Sequence, residues 1–220
     1  MMRAVTRAQL PVSSTARSQA TRAAILAAAA KIFAKTGLAG ARTDSIAAAA
    51  GVNKAMLYYY FKSKDGLYEA VVEDQFAEFN RQAIQVLLAP GSAREALLRY
   101  VNLHVDFISE RHQSAPLFQQ MTMSAPQFLK RLVRRYFAAR GEALGEVITR
   151  GIRQGEFRDV DPFQTSVSII ALIVFYFSSA PVLKLLGHAD AYSPVNLQRR
   201  KREVIDFVRH GLFIEPDRQP

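Results

Sequence analysis

A residue suited to start a helix, apolar residues at helical spacing and a helix-stopping residue follow one another along almost the whole chain. In the run TRAAILAAAAKIFAKTG, Ile25, Ala28, Ala29, Ile32 and Phe33 fall at the i, i+3, i+4, i+7, i+8 spacing that lines one side of a helix. Gly37 ends that run, and glycine accepts the positive φ of a helix terminus at little cost. A short helix, TDSIAAAA, opens at about Thr43 and stops at Gly51; VNKAMLYYYF follows, and Ser63 is a suitable N-cap for a longer helix. Ser92 and Glu95 form an S-x-x-E capping box. Asp161-Pro162 and Ser193-Pro194 each pair a capping residue with proline at the first helical position, the last helix running from about Ser193 to Leu212. Pro90-Gly91, Pro116 and Ser124-Ala125-Pro126 mark further breaks. The pattern predicts an all-α protein of about nine helices and no sheet.

With 220 residues, half of them apolar, the chain can bury a sizeable core. It has no cysteine, which excludes disulfides and thiolate metal sites and fits a reducing cytoplasm. The first twenty residues hold scattered arginines without an apolar h-region, so no secretory signal is expected. Pro162 to Leu183 carries no charge, and a membrane-spanning helix needs about 20 apolar residues. Gln164, Thr165, Ser166, Ser168, Ser178 and Ser179 interrupt the stretch, so a helix buried in a bundle or subunit interface is expected instead.

The charge is uneven. Residues 1–65 hold ten Lys/Arg against Asp44 and Asp65, a net +8, whereas the rest of the chain carries only +2. Such asymmetry suggests that one end meets a polyanion. That segment contains DSIAAAAGVNKAMLYYYF, two short helices joined around a glycine: a helix-turn-helix at about 42–61. Leu57 and Phe61, four residues apart, form an inward pair with Ile46 and Val52. The faces bearing Lys54, Ala55, Tyr58 and Tyr59 turn outward, where a DNA major groove accepts an α-helix. Tyr58 is expected half packed, Tyr59 facing the groove and Tyr60 turned toward the flanking backbone.

The run from Ala24 through Leu67 resembles the amino-terminal DNA-binding domain of the TetR family of bacterial transcriptional regulators. The likeness lies in IL..AA.KIF...G, in IA..AGV.K..LY.YF and in the closing SK..L. It implies a three-helix DNA-binding head, a helical ligand-binding and dimerisation body, homodimerisation through the last two helices, and repression relieved by a small molecule. It further implies that Thr43 starts the second helix close to the DNA backbone. Asn53, Lys54, Ala55 and Met56 would open the recognition helix toward bases and phosphates. Tyr58, Tyr59 and Tyr60 would contact phosphates, and Lys64 would add a backbone contact. Ala55 replaces the commoner glycine, Met56 a small hydroxyl and Asn53 the usual serine, which leaves the operator sequence open. Thr43 could equally be an N-cap, and Lys54 and Lys64 solvated charges.

The expected organisation is a disordered basic tail over 1–18, a DNA-binding domain over 19–79 and an effector-binding and dimerisation domain over 80–220. RGIRQGEFRDVDPF resembles the family's approach to the penultimate helix. Among the middle helices, His104, Phe107, Phe118, Gln119, Met121, Met123, Phe137, Phe175 and Tyr176 are candidates for an effector pocket, although aromatics and methionines at helical spacing equally serve a core. RRKR at 199–202 is expected to be a solvated helix face. His104, His112, His188 and His210 are scattered, no metal-ligand or catalytic fingerprint occurs, and neither a cofactor nor an enzyme activity is expected. The leading expectation is a cytoplasmic, homodimeric, ligand-responsive repressor on a palindromic double-stranded DNA operator. A helical binding or scaffolding protein without specific DNA recognition is the alternative.

Overall fold

The computed structural model describes residues 14–124, 126–188 and 190–214; the side chains of Ser14, Phe118, residues 121–124 and Pro126 lie outside that description. The chain divides into two compact units, Met1–Val71 and Val72–Pro220. The division falls inside a helix.

The first unit holds α1 (Ser14–Gly40), α2 (Thr43–Ala50), α3 (Lys54–Phe61) and the start of α4 (Lys64–Leu88). Residues 14–18, expected in the tail, belong to α1; Ser18 Oγ lies 2.9 Å from Tyr60 Oη, tying this turn to α3. The expected stop at Gly37 is a kink with φ +69°, after which the chain makes one more turn. Ile25, Ala29 and Phe33 of α1, Ile46 and Ala47 of α2, and Leu57 and Phe61 of α3 are buried with Leu67 and Tyr68. The Phe33 and Tyr68 rings meet edge-on at 5.2 Å. Gly51, at φ +67°, lets α2 end in two bonds, Gly51 N–H to the Ala48 carbonyl at 3.1 Å and Val52 N–H to that of Ala47 at 3.0 Å. This pairing satisfies carbonyls that the helix end would otherwise leave open.

The corner between α3 and α4 is tighter than the sequence suggests. Lys62 adopts φ +65°, the one non-glycine with positive φ among the described residues. Ser63 N–H donates to the Phe61 carbonyl at 2.7 Å, closing a γ-turn of the strained kind. Ser63 caps α4 as expected, its hydroxyl accepting from Gly66 N–H at 2.9 Å.

The second unit comprises the rest of α4, α5 (Ala93–Glu110), α6 (Ser114–Ser124), α7 (Pro126–Leu132), a π-helical turn (Val133–Phe137), α8 (Ala138–Arg153), α9 (Pro162–Ser178), α10 (Ala180–Leu185) and α11 (Pro194–Leu212). Among the described residues there is no strand, only an isolated bridge between Phe157 and Phe213. The capping box at Ser92 and Glu95 is formed, and Asp161 and Ser193 accept from the backbone N–H groups three residues on. The helices exceed nine because the uncharged stretch breaks at Ser179 into α9 and α10, and because the segment after α6 is subdivided. At 17 residues, α9 is shorter than a spanning helix requires. The described helix over Thr15–Gly40 has the length and composition to cross a bilayer, a test that core helices also pass.

α5 is the centre of this unit. Its buried face, from Ala96 and Leu97 through Tyr100, Val101 and His104 to Ile108, packs against α8, α9 and α11. The Glu156 carboxylate accepts from the backbone N–H of Ala93 at 3.2 Å and of Arg94 at 2.9 Å, capping α5 from more than sixty residues away. Gly151 lies flat against the Phe157 ring, where a Cβ would come within 2.2 Å. RRKR is not simply a solvated face: Arg199 and Arg202 are exposed, but Lys201 pairs with Asp106 at 2.5 Å and Arg200 packs over the Tyr176 ring at 4.8 Å. Long basic side chains bury their stems on apolar surface in this way.

Candidate nucleic-acid interface and ligand cavity

α3 is anchored by Leu57 and Phe61, and the helical period turns the neighbouring residues outward. Lys54 and Ala55 are exposed, Tyr58 is 43% and Tyr59 69% accessible, and Met56 is half-buried. Tyr58 is thus half packed, and Tyr60 is the more covered of the two. Tyr60 meets Tyr59 edge-on at 5.1 Å, and its hydroxyl is shared with Ser18.

The ends of α3 are engaged. Asn53 is the N-cap, its Oδ1 accepting from Met56 N–H at 3.0 Å, which leaves its amide N–H groups to face outward. Thr43 is the first helical residue of α2; Arg42 holds the N-cap position and no side chain caps it. Lys54 Nζ pairs with Asp44 of α2 at 3.0 Å, and that hydrogen bond, with the carboxylate's charge, raises the Lys54 pKa. Lys64 Nζ donates to the carbonyls of Ala39 and Ala41, both at 3.3 Å, so it fixes the loop before α2. Lys62, not singled out in the sequence, is exposed, donates to the Tyr59 carbonyl at 3.1 Å and lies 5.9 Å from the Tyr59 ring centre. Arg42 is a second exposed cation that the motif comparison passed over.

The second unit carries a half-open cavity of about 590 Å³. Val72, Phe76 and Phe79 of α4, Phe107 and Ile108 of α5, and Ile170, Val174 and Phe175 of α9 give it a largely apolar wall. Of the effector candidates, His104, Phe107, Gln119, Phe137 and Phe175 line it. Tyr176 does not: its ring lies under the Arg200 guanidinium and meets Phe177 edge-on. One residue further along α9 is a turn of about 100°, enough to move a side chain to another face. Phe118, Met121 and Met123 lie outside the described side chains.

The polar groups in the wall are few. Ser114 Oγ donates to Gln75 Oε1 at 2.5 Å. His104 is buried, with its Nδ1 unpartnered, and lies against Phe79 at 4.4 Å between ring centres. Burial, with a smaller contribution from the Arg140 charge, holds its pKa down at about 3, so the imidazole is neutral near pH 7. Arg140 is buried in the same wall, its guanidinium 5.0 Å from the Phe79 ring centre and 4.9 Å from that of Phe137. Sequence reasoning missed it, although it stands four residues before Leu144 and eight before Ile148, on the apolar stripe of α8. No group of three or more potential metal ligands occurs among the described residues.

Comparison with known proteins covers both units. Residues 25–71 match the family model described as bacterial regulatory proteins, tetR family, and residues 94–208 match a tetracyclin repressor-like C-terminal domain. The chain is 32% identical over 167 residues to the HTH-type transcriptional repressor NicS of Pseudomonas putida, covering 72% of this chain and 76% of that one. It is 29% identical over 201 residues to the transcriptional regulator RutR of Escherichia coli, covering 88% and 91%. A crystal structure of a transcriptional regulator from Saccharomonospora viridis in complex with choline shares the fold, with a TM-score of 0.73 at 20% identity over 90% of this chain and all of that one. The chain belongs to the TetR family, and it is a DNA-binding transcriptional regulator.

Proposed function

We propose that the protein is a homodimeric repressor that leaves its operator when a small molecule fills the cavity. The observation that carries this reading is the outward display of Lys54, Ala55, Tyr58 and Tyr59 on a helix anchored by Leu57 and Phe61. Each α3 enters a major groove of a palindromic site. Asn53, Lys54, Ala55 and Met56 lie toward bases and phosphates; Tyr58, Tyr59, Thr43 and the Tyr60 hydroxyl lie along the backbone. Lys64 contributes chiefly by fixing the loop that carries Arg42, and Lys62 joins the phosphate grip.

Residues 80–220 hold the dimer contacts and, together with Val72, Phe76 and Phe79 of α4, the effector. Phe163 and Phe175 of α9 and Val195 and Phe207 of α11 are exposed apolar side chains on the last two long helices, as a face awaiting a second copy would be. Phe175 also lines the cavity, so a ligand there can bias the packing of two copies. α4 carries cavity residues beyond position 71 and begins beside α3, which makes it the natural lever. The ligand acts only if it prefers one dimer geometry over the other. The protein works in the cytoplasm, where its operator is.

A mobility-shift titration against the DNA upstream of its own gene tests this. Tight binding that weakens steeply with salt is expected, as phosphate contacts release counterions. Equal affinity for random duplex would refute autoregulation, and no binding at any salt would refute the placement of α3.

A further inference from the structure

Arg140 is a buried cation facing a cavity whose described wall holds no acid. No aspartate or glutamate lines the space, and Arg140 has no carboxylate partner among the described residues. Its Nη1 has no hydrogen-bond partner. The rings of Phe79 and Phe137 stabilise the guanidinium, but cation–π attraction amounts to about 2 kcal/mol when desolvated, below the several kcal/mol lost on burying an unpaired ion. The charge is thus incompletely compensated within the protein. His104 adds no second positive charge, since burial keeps it neutral. Beyond Arg140 the wall offers the neutral His104 ring, a few amides and hydroxyls, and otherwise hydrocarbon.

We propose that the cavity takes a small organic monoanion, a carboxylate on an apolar body, with Arg140 as its counter-ion. The guanidinium donates charge-assisted hydrogen bonds to the carboxylate, and Phe79 and Phe137 hold its plane. The apolar body lies against α4 and α9, between Phe76, Ile170 and Val174. A single unbalanced positive charge selects one negative charge and disfavours cations. This rests on the reading that the cavity is the effector site.

The test uses two fluorescent probes with the same aromatic body, neutral phenylnaphthylamine and anionic anilinonaphthalene sulfonate, titrated into the full-length protein. Both should bind one site per chain, the anion about tenfold or more tighter, in line with one charge-assisted hydrogen bond. Octanoate should displace the neutral probe at concentrations where octanamide does not. Arg140→Met should abolish the preference for the anion while leaving neutral-probe affinity within about twofold, because apolar surface is retained; Arg140→Lys, which keeps the charge, should retain part of it. Equal binding of the two probes, or a preference that survives in Arg140→Met, overturns the anion assignment and leaves the cavity reading intact. Failure of both probes to bind the wild-type protein overturns the cavity reading and this inference with it. If Arg140→Met does not fold, the wild-type comparison of octanoate with octanamide decides, and equal displacement refutes the proposal.

Discussion

At the scale of single residues, the pair formed by Lys54 and Asp44 bears most directly on DNA binding. It joins the first turns of α2 and α3 in full view of solvent, where such pairs contribute little to stability. In the proposed interface its carboxylate competes with phosphate for the ammonium. Lys54→Ala should lower operator affinity and reduce the salt slope by about one, whereas Asp44→Asn should raise affinity by roughly two- to tenfold. Weaker binding by Asp44→Asn, measured by mobility shift, would mean that the pair serves to shape the motif. His104 allows a second residue-scale prediction. Its folded pKa of about 3 lies below the usual 6.5, so between those values the unfolded chain binds a proton that the folded one does not. Stability therefore falls as pH drops below about 6.5, by up to about 1.4 kcal/mol per unit from this group alone. His104→Leu removes that contribution, so denaturant melts at pH 7 and pH 4.5 should show the wild type losing more stability than the variant. Equal losses would mean a solvated imidazole. The outward and inward residues of α3 were readable from spacing, because Leu57 and Phe61 fix the helix phase. That Tyr60 is more covered than Tyr58 was not, since its hydroxyl meets Ser18, which lies 42 residues away.

Among the elements, the corner from α3 to α4 is the most constrained. Gly66 sits in the first turn of α4, where a Cβ would come within 2.4 Å of the Phe61 carbonyl oxygen. Gly66→Ala should therefore lower stability by about 1–3 kcal/mol through forced backbone displacement. Gly141, in α8 with no atom near its missing Cβ, provides the contrast. Gly141→Ala should raise stability by about 0.5–1 kcal/mol, the ordinary helix-propensity gain. Chemical denaturation of the two variants checks both, and a neutral Gly66→Ala would show that the corner yields. The caps at Ser63, Ser92, Asp161 and Ser193 were legible because capping is local chemistry within four residues. The Lys62 γ-turn was not legible: nothing in FKSKDG requires a positive φ at a lysine. Nor was the Glu156 cap on α5, whose partners lie more than sixty residues away in the chain.

For the molecule as a whole, the exposed apolar side chains of α9 and α11 define the expected dimer face. Phe207 is 62% exposed and distant in sequence from the cavity-lining residues. Phe207→Glu should shift the protein from dimer to monomer in sedimentation equilibrium. It should weaken operator binding by about a hundredfold or more, because a lone head loses the effective concentration supplied by its mate. A variant that remains dimeric would move the interface elsewhere. The sequence by itself determined the helical class, the caps at Ser63, Ser92, Asp161 and Ser193, and the phase of α3. Periodicity, capping and turn residues act over a few positions, and they do so whatever the rest of the chain is doing. Tertiary structure alone decided which of the middle aromatics surround a cavity and that Tyr176 does not. It also decided that RRKR is half engaged and that an arginine on an apolar stripe is buried without a counter-ion among the described residues. Those outcomes depend on how distant helices pack against one another, and helical spacing gives a core face and a cavity face the same pattern.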